Sequence, residues 1–459
     1  MALKVNAEFA KKFVAEKLLN ELLKYLEKDP EKNVLNILKL LHKIAREENH
    51  KAYINYLIES YEKYPAVKEQ FRRFFAETNP QILSKLAYNT IINGVLFGIP
   101  RQKEYQAQTG IHVPFTMLVD PTSRCNLGCT GCWAGKYQKG PELSFERLDQ
   151  LFTEAKELGI YFIVLSGGEP LMYERLFELF EKHSDMAFMA YTNGTLIDEA
   201  MADKIAKVGN FSPAISIEGF SERTDARRGK GVFAKITRAM DLLRDRGVYF
   251  GASVTVTREN YLELTSDEFI DFLVEKGVKY IWSFHYVPVG KNPDTSLMLT
   301  PEERLYLAQR IPVLRITKPI IIADFWNDGH ITHGCIAGGR SYFHINAKGE
   351  VEPCAFVHFA VDNINEKSLK EVLKNPLFTA YQKRQPFTEN YFAPCPIIDV
   401  PKALRDIVAE SNAYPTHEGA DEVLMGATAQ FLDKRALEWE RVSRALNEYK
   451  KERIAKMKM

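Results

Sequence analysis

Six short apolar runs, each followed by a helix-like or polar segment, constrain the fold of this chain more than any other feature. They read FTMLVD, YFIVLSGG, MAFMAYTNG, SPAISIEG, YFGASVTVT and YIWSFHYVPVG, and they lie between Phe115 and Gly290. Intervening segments such as FERLDQLFTEAKELG repeat apolar residues at helical spacing. Strands that alternate with helices form parallel sheets, so the sequence predicts an α/β fold. Six consecutive repeats favour a partial (β/α)6 barrel over an open doubly wound sheet.

The sequence predicts helices before this series and a hairpin after it. Apolar stripes at helical spacing occupy the N-terminal region, at Phe9, Phe13, Val14, Leu18, Leu22 and Leu26, then at Val34, Ile37, Leu38, Leu41 and Ile44. Near Cys335 the segment SYFHINAKGEVEPCAF has two runs around a Lys-Gly turn, the pattern of a β-hairpin. We therefore expect a helical region over 1–110, the βα core over 111–325, a hairpin and loop region over 326–400, and a helical tail over 401–459.

The role of the N-terminal helices is open at the level of sequence. Packing against the rest of the protein is one interpretation of their apolar stripes. The alternative is a surface that touches a membrane or a long apolar substrate. The apolar stretch NTIINGVLFGIP and the basic tail KKERIAKMKM would both suit that alternative.

Composition limits the partners and the compartment. The chain has 459 residues and a net charge of +1, so we expect no nucleic acid partner. The N-terminus lacks the apolar core of a secretory signal, and no run approaches the roughly 18 to 20 apolar residues that span a bilayer. We therefore expect a cytoplasmic protein, with peripheral membrane contact as the alternative. In that reducing compartment, clustered cysteines indicate metal ligands rather than disulfides.

Three of the six cysteines, Cys125, Cys129 and Cys132, lie in the run RCNLGCTGCW directly after the first predicted strand. Gly128 and Gly131 allow the loop to turn back on itself. A closed structural zinc site needs four ligands, whereas three thiolates suit an iron–sulfur cube whose fourth iron stays open. The spacing therefore favours a cluster, and zinc is the alternative.

This run, with Trp133 after the last cysteine, resembles the signature of the radical S-adenosylmethionine (radical SAM) superfamily. The resemblance implies a [4Fe–4S] cluster that reduces S-adenosyl-L-methionine to a 5′-deoxyadenosyl radical. It also implies an electron donor of the flavodoxin or ferredoxin type. A protein with this signature is expected to fold as a partial (β/α)6 radical SAM barrel.

Further motifs that resemble the family's follow in order along the βα series. SGGEP after the second strand resembles the GGEP motif, in which Glu169 would contact the methionine amine; a carboxylate suits an ammonium group. Arg228 in TDARRGKGVF would pair with the methionine carboxylate, although an ordinary surface turn would also be rich in Arg and Asp. TNG is equally consistent with a plain turn. The residues that the resemblance assigns to the cofactor are Gly167, Gly168, Glu169, Asn193, Ser216, Glu218, Arg228 and Ser253, with Thr255 and Arg258 as further candidates.

The other three cysteines, Cys335, Cys354 and Cys395, are far apart in sequence. Their contexts resemble the SPASM or twitch extension, in which cysteines around a hairpin hold an auxiliary iron–sulfur cluster. A full SPASM extension has seven cysteines, and its C-x2-C-x5-C unit is absent here. Three thiolates could hold one auxiliary cluster, and the fourth ligand would be His333, His358 or Asp399, unless one iron is open. The alternative is three buried free thiols.

The leading hypothesis for function is hydrogen abstraction from an unactivated C–H bond. The helical leader and the PCPIID loop resemble a group related to enzymes that join lipid tails, so the expected substrate is a lipid acyl or alkyl chain that undergoes C–C coupling. A peptide-modifying maturase is the alternative, and an iron–sulfur electron carrier is the non-catalytic one. A lipid substrate predicts a long apolar tunnel leading to the cysteine loop.

Overall fold

The computed structural model describes residues 2–45, 48–137 and 139–457. Within these residues the strands form one nine-stranded sheet in the order β7-β6-β5-β4-β3-β2-β1-β8-β9 and a two-stranded ribbon, β10-β11. Neighbours are parallel from β7 to β8, and β9 is antiparallel to β8. The strands are β1 Thr116–Val119, β2 Phe162–Leu165, β3 Ala187–Thr192, β4 Phe211–Ser216, β5 Gly251–Val256, β6 Tyr280–His285, β7 Ile321–Asp324, β8 His344–Ile345, β9 Val351–Glu352, β10 Phe359–Ala360 and β11 Tyr414–Pro415.

Helices precede, cover and follow this sheet. They are α1 Ala2–Lys28, α2 Pro30–Ile44, α3 Glu48–Lys63, α4 Pro65–Ala76, α5 Pro80–Ala87, α6 Ile99–Thr109, α7 Phe145–Leu158, α8 Leu176–Lys182, α9 Glu199–Val208, α10 Ser221–Arg228, α11 Val232–Asp245, α12 Tyr261–Leu264, α13 Asp267–Glu275, α14 Pro301–Thr317, α15 Gly329–Thr332, α16 Leu369–Val372, α17 Pro376–Arg384, α18 Pro401–Ser411 and α19 Gly426–Met457. A π-helical segment, Tyr88–Gly98, joins α5 to α6. The predicted fold class, a partial radical SAM-type barrel with a helical N-terminal region and a C-terminal extension, is confirmed.

Alternate residues of the strands face two different sides of the sheet, and each side has its own apolar core. In β5, Ala252, Val254 and Val256 belong to the large core between the sheet and its helices, while Ser253 and Thr255 between them are less buried. Successive side chains of a strand point to opposite faces, so these two hydroxyl residues face the interior of the curved sheet. A smaller apolar cluster that includes Leu118, Val164 and Met189 lies on that inner face. The barrel is therefore lined by both polar and apolar groups.

The N-terminal helices cover the end of the barrel at which its strands begin. Asn89 donates hydrogen bonds to the carbonyls of Ser184 and Met186, just before β3. Arg73 on α4 donates to the carbonyls of Val274 and Pro319 on the segments that lead into β6 and β7. The strand C-termini, where the chemistry of such folds is built, lie at the opposite end.

The apolar stripe predicted for the first helix is wrong in detail. Phe13, Val14, Leu18 and Leu22 are exposed, and Leu26 alone of the described members of the stripe is buried, because α1 presents Leu19 and Leu23 to α5 and the π-helical segment instead. The side chain of Phe9 lies outside the described residues. In the second stripe, Val34 and Leu38 are buried as predicted, whereas Leu41 is exposed.

One continuous helical stretch, Pro80–Thr109, is long and apolar enough to cross a membrane by length and composition. The sequence-based statement that no such run exists is therefore corrected. A helix packed in a protein core has the same length and composition, so these two properties do not by themselves indicate a membrane span. Here Asn89 and Asn93 are buried and bond the loop before β3.

The hairpin predicted after Cys335 is present as β8 and β9, with Gly349 in the left-handed region at φ 88°. β8 pairs in parallel with β1 and so attaches the extension to the barrel. The buried ion pair between Arg304 on α14 and Asp399, 2.6 Å apart, joins the barrel to the loop that contains Cys395. The extension and the barrel thus share one sheet and a buried charge pair.

Candidate cluster and cofactor site

The SGGEP segment is clamped against the first cysteine loop through backbone contacts. The Gly168 amide donates to the Thr122 carbonyl at 3.0 Å, and the Glu169 amide donates to the Arg124 carbonyl at 2.7 Å. A Cβ on Gly168 would lie 2.0 Å from the Arg124 oxygen. The two glycines therefore admit the cysteine loop, a packing reason that the sequence motif alone did not reveal.

Glu169 is buried at the junction of β2, β3 and the cysteine loop. Its carboxylate accepts hydrogen bonds from the Leu171 amide, the Thr192 hydroxyl and the Asn193 amide. Burial raises the pKa of Glu169, and these hydrogen bonds oppose the rise. Oε1 accepts two of the three bonds, and Oε2 accepts one, from Asn193 at 2.7 Å. A carboxylate oxygen can accept two hydrogen bonds, so Oε2 has capacity for an ammonium donor.

Asn193 lies between Glu169 and Cys125. Its amide Nδ2 is 2.8 Å from Asn126 Oδ1 and 4.0 Å from Cys125 Sγ. The TNG turn is thus more than a connection between elements, because it bonds both the GGEP segment and the cysteine loop.

Glu218 and Arg228 form a buried pair on the other side of the loop. Arg228 donates through Nε, at 3.1 Å, and through Nη2 to Glu218 Oε1, and Arg227 approaches Oε2. Burial lowers the pKa of Arg228, but Glu218 and the thiols of Cys129 and Cys132 outweigh it, so the pKa is raised. Arg227 accepts a hydrogen bond from the Thr130 amide through its carbonyl oxygen, which ties α10 to the cysteine loop.

The remaining predicted residues divide into two groups. Ser216 at the C-terminal end of β4 pairs with Ser253 in the middle of β5, and both are half-buried. Thr255 donates its amide to Glu218 Oε2 at 3.3 Å. Arg258 is exposed and pairs with Glu303 on α14 instead.

The second cysteine set converges although its members are far apart in sequence. Cys335, Cys354 and Cys395 pack together in one apolar cluster, and all three act electrostatically on the buried hydroxyl of Tyr381. Tyr342 donates a hydrogen bond to Cys354 Sγ at 2.9 Å. Burial raises the pKa of all three thiols, that of Cys354 to about 12. These buried thiols are therefore neutral unless a bound cation stabilises their thiolate form.

The candidates for a fourth ligand differ in their surroundings. Asp399 lies next to Cys395 and accepts from its amide at 3.0 Å, while its other oxygen binds Arg304. His358 uses one nitrogen on the Ala355 carbonyl and the other on His417. His333 is exposed. Asp399 is thus the candidate held next to a cysteine of the set.

A buried polar network that the sequence did not predict joins the barrel to the hairpin. Asp120 after β1 accepts from Ser166 at 2.6 Å and contacts His344 Nε2 at 3.0 Å, and His344 Nδ1 is 2.6 Å from Glu352. Tyr137 donates to Glu352 at 2.9 Å. Burial lowers the pKa of His344, but the neighbouring carboxylates outweigh it and raise the pKa to about 10. His344 is therefore a cation between two carboxylates.

A cavity of about 300 Å³ lies beside the end of the first cysteine loop. Gly290 on its wall is so close to the Cys132 carbonyl that a Cβ would lie 2.4 Å from that oxygen. The described residues that line it are Lys136, Pro288, Val289, Gly290, Asn292, Pro293, Phe356, His358, His417, Glu418, Gly419, Ala420, Glu422 and Val423. The cavity is small and largely polar, unlike the long apolar tunnel that a lipid substrate predicts.

Both cysteine sets offer the thiol donors that iron–sulfur clusters use. None of the six thiols is in a disulfide. Burial raises the pKa of Cys125 and Cys132, as it does for the second set, so bound iron would provide the positive charge that a thiolate needs. Sulfur ligands in these numbers match cluster chemistry.

Comparison with known proteins agrees with this assignment. Residues 119–273 match the radical SAM superfamily model, and residues 335–396 match SPASM, an iron–sulfur cluster-binding domain. The chain is 32% identical to the mycofactocin maturase MftC of Mycolicibacterium smegmatis over 274 residues, which are 56% of this chain and 68% of that one. It is 33% identical to the Fe-coproporphyrin III synthase of Methanosarcina barkeri over 186 residues, which are 38% of this chain and only 46% of that enzyme.

The solved structure of Streptococcus suis SuiB bound to S-adenosylmethionine has the same fold. Its TM-score is 0.52 at 17% identity, over 62% of this chain and 71% of SuiB. Barrel, cysteine loop and hairpin extension together define an iron–sulfur enzyme of the partial-barrel class. The chain belongs to the radical SAM superfamily, among the members that carry a SPASM domain. A [4Fe–4S] cluster, S-adenosylmethionine and auxiliary cluster chemistry follow from that membership.

Proposed function

We propose that the protein is a radical SAM enzyme that modifies a peptide at an unactivated C–H bond. Cys125, Cys129 and Cys132 would hold the catalytic [4Fe–4S] cluster. That cluster, with S-adenosylmethionine, supplies a one-electron cleavage that yields the hydrogen-abstracting 5′-deoxyadenosyl group. The observation that carries the proposal is the clamp between the GGEP segment and the cysteine loop, because it holds the Glu169 carboxylate against the loop that carries three free thiols.

The residues around the loop would bind and orient the cofactor. Glu169 would accept the methionine ammonium at Oε2, which has capacity for a further hydrogen bond. Arg228, held by Glu218, would turn one edge of its guanidinium to the methionine carboxylate. Asn193, Gly167 and Gly168 would hold the loop, and Ser216, Glu218 and Ser253 would bind the ribose and methionyl portions.

The second set, Cys335, Cys354 and Cys395, would hold one auxiliary cluster, with Asp399 as the candidate fourth ligand. The domain boundaries 1–110, 111–325, 326–400 and 401–459 are part of the same proposal. A flavodoxin or ferredoxin would supply the electron.

A peptide is favoured over a lipid as the substrate. MftC, the relative with 32% identity, is named as a maturase. The cavity beside Cys132 holds about 300 Å³ and is lined by charged and amide side chains, which suits a polar side group or the end of a peptide better than an alkyl tail. The lipid-coupling hypothesis has no such support.

A porphyrin is the second candidate, because relatives include the Fe-coproporphyrin III synthase and heme synthases. These alternatives differ in product, so one assay series separates them.

The test begins with the protein reconstituted with iron and sulfide, reduced with dithionite and supplied with S-adenosylmethionine. We expect 5′-deoxyadenosine from the wild type and none from Cys125→Ala, with Cys335→Ala as the matched control that keeps the first cluster. No 5′-deoxyadenosine from a spectroscopically intact cluster would refute the proposal.

The substrate class is tested in two further incubations. Wild type and Cys125→Ala are co-expressed with the peptides of the source cell, and the peptide masses are compared. In parallel, the reduced enzyme with S-adenosylmethionine is incubated with porphyrins, and formation of Fe-coproporphyrin III or heme, the products that the names of these relatives give, is followed by absorbance. A wild-type-dependent peptide mass change supports the maturase, whereas conversion of the porphyrin alone supports the second candidate.

A further inference from the structure

Tyr381 on α17 has a buried hydroxyl at the second cysteine set. The side chain is fully buried, and the described residues offer its hydroxyl no hydrogen-bond partner. The thiols of Cys335, Cys354 and Cys395 all act electrostatically on this hydroxyl. A buried hydroxyl without a partner is costly, and most such groups in folded proteins have one. The hydroxyl of Tyr381 therefore indicates that a hydrogen-bonding group binds among the three cysteines.

The ring of Tyr381 is held in place by its neighbours. A Cβ on Gly338 would lie 2.3 Å from Tyr381 Cδ1, so the glycine backbone lies directly against the ring. On another side Phe387 meets the ring edge to face, with the ring centroids 5.1 Å apart. The hydroxyl oxygen thus cannot reach a different partner without repacking of these groups. Tyr381→Phe would remove the hydroxyl and keep this packing.

The chemistry of the hydroxyl suits a donor. A tyrosine hydroxyl keeps its proton at neutral pH, so it can donate one hydrogen bond. The sulfurs of an iron–sulfur cluster, both the thiolate ligands and the inorganic sulfides, carry negative charge and accept hydrogen bonds. Direct ligation of iron by the oxygen is the alternative, and it would require the loss of that proton.

The corner of the site at Cys335 is the one that Tyr381 faces. Of the three thiols, Cys335 acts most strongly on Tyr381. Burial raises the pKa of Cys335, and the Tyr381 hydroxyl is among the groups that oppose this rise. Cys354 already has two donors, the Tyr342 hydroxyl at 2.9 Å and the Phe356 amide at 3.5 Å. A donor from Tyr381 would therefore act on a different sulfur from the one that Tyr342 contacts.

We propose that the Tyr381 hydroxyl donates a hydrogen bond to a sulfur of the auxiliary cluster at its Cys335 corner and thereby raises the reduction potential of that cluster. Tyr381 is a positioning and tuning residue in this role, because it contacts the cluster and not the substrate. The proposal rests on the auxiliary cluster of the proposed function. It depends neither on the substrate nor on S-adenosylmethionine.

The first experiment measures the reduction potential of the auxiliary cluster by an electron paramagnetic resonance titration. It uses the full-length chain with Cys125, Cys129 and Cys132 replaced by alanine, so that the auxiliary cluster alone gives the signal. A donor to a cluster sulfur stabilises the reduced, more negative state, so we expect a lower potential in Tyr381→Phe. Adding Tyr342→Phe should lower the potential further, because the two hydroxyls act on different sulfurs.

Tyr173→Phe is the matched control, since its hydroxyl bonds the Leu143 carbonyl outside the second cysteine set. Iron and sulfide analysis establishes that each variant carries the cluster. The control should keep the potential of the parent chain. If Tyr381→Phe has the same potential as the control while its cluster is intact, the proposal is wrong.

The second experiment detects the proton itself in the same chain. Electron–nuclear double resonance of the reduced cluster, prepared in light and in heavy water, identifies exchangeable protons close to the sulfurs. We expect one such proton to be absent from Tyr381→Phe and present in Tyr173→Phe. An unchanged set of exchangeable protons in Tyr381→Phe would overturn the proposal.

Resonance Raman spectra of the parent chain with ring-deuterated tyrosine distinguish a donor from a ligand. A donor predicts no enhanced tyrosinate ring modes. Enhanced modes that disappear in Tyr381→Phe would show that the oxygen ligates iron and would overturn the hydrogen bond. Failure of the hydrogen bond with the cluster present would leave the proposed reaction untouched, since that reaction is assayed separately through 5′-deoxyadenosine.

Discussion

Gly167 and Gly168 lack side chains because the cysteine-loop backbone occupies the space where their Cβ atoms would be. For Gly168 the obstacle is a main-chain oxygen, that of Arg124, which cannot rotate away. The sequence motif suggested that glycine admits the cofactor. The structure adds that it admits the loop that carries the cluster ligands.

Gly168→Ala should therefore displace the cysteine loop, because its Cβ would lie 2.0 Å from the Arg124 oxygen. We expect a destabilisation of about 1–3 kcal/mol from overpacking and loss of the iron bound by this loop. Iron and sulfide are measured in proteins that also carry Cys335→Ala, so that the iron content reports the first cysteine loop and not the second cysteine set. Gly128→Ala, in the same loop but with nothing within 4 Å of its Cβ, is the control. Full iron content in Gly168→Ala would contradict the steric argument.

Tyr342 should raise the reduction potential of the auxiliary cluster, because its hydroxyl donates to Cys354 Sγ at 2.9 Å. A donor to a ligating sulfur stabilises the reduced, more negative state. In Tyr342→Phe we expect a lower potential, measured by an electron paramagnetic resonance titration of protein in which Cys125, Cys129 and Cys132 are Ala. Tyr173→Phe, whose hydroxyl bonds the Leu143 carbonyl elsewhere, should leave it unchanged. Equal potentials in both variants would rule out tuning by Tyr342.

At the scale of elements, the six predicted strands are all present, in order and parallel. Their apolar runs have the length and flanking glycines of buried strands, so local pattern was sufficient. β7 was not predicted, and β8 was predicted only as one strand of the hairpin, without its pairing to β1. β7 has four residues, and β8 has two, which pair with β1 on one side and with β9 on the other. Pairing of that kind is tertiary and leaves no local pattern.

The candidate site, like the fold, was predictable where its pattern is local. The spacing of Cys125, Cys129 and Cys132 identifies them as a set, whereas the His344 network joins side chains from distant parts of the sequence. The sequence around a single histidine or aspartate does not indicate which distant residue it will contact. The parallel pairing of β8 with β1 brings His344 to Asp120.

His344→Gln should weaken the joint between hairpin and barrel, because Asp120 and Glu352 would lose the cation between them. Removing one partner of a buried ion pair costs about 3–5 kcal/mol. The pKa of His344 is raised to about 10 in the folded protein, above its unfolded value near 6.5. Its contribution is therefore complete below about pH 6.5 and is lost as the pH rises through about 10.

Urea unfolding of wild type and His344→Gln at pH 6, 8 and 10 checks this sign. The difference in unfolding free energy should be largest at pH 6 and shrink toward pH 10. A difference that is independent of pH would show that His344 is neutral in the folded protein.

At the scale of the whole molecule, the N-terminal helices are bound to the barrel by buried polar contacts as well as by apolar packing. The predicted stripe on α1 was wrong because that helix is apolar on more than one face, and periodicity cannot choose which face is buried. Leu19 and Leu23 are buried because they pack with Leu83 on α5 and Ile92 in the π-helical segment, a tertiary contact that the sequence pattern does not reveal. The next helices are held to the barrel by Arg73, Asn89 and Asn93, which bond carbonyls near the strand N-termini.

Arg73→Met should loosen the helical region from the barrel. Arg73 is buried, donates to the carbonyls of Val274 and Pro319, and pairs with Glu77, which in turn binds Lys279 before β6. Its removal leaves two carbonyls without their donor and a carboxylate with one cation fewer. Because the Glu77 carboxylate is one-third exposed, the main cost is that of the carbonyls left without a donor, and we expect a loss of about 1–3 kcal/mol.

The matched control is Arg72→Met on the same helix, where the guanidinium is exposed, pairs with Glu69 one turn away and lies 3.7 Å from Glu77, but bonds no carbonyl of the barrel in the described residues. An exposed pair contributes about 1 kcal/mol or less, so this variant should unfold close to the wild type. Limited proteolysis distinguishes local loosening from global unfolding, because Arg73→Met should release the N-terminal helices at urea concentrations where the barrel is still resistant. Equal protection of both variants would mean that apolar packing alone fixes the helices to the barrel.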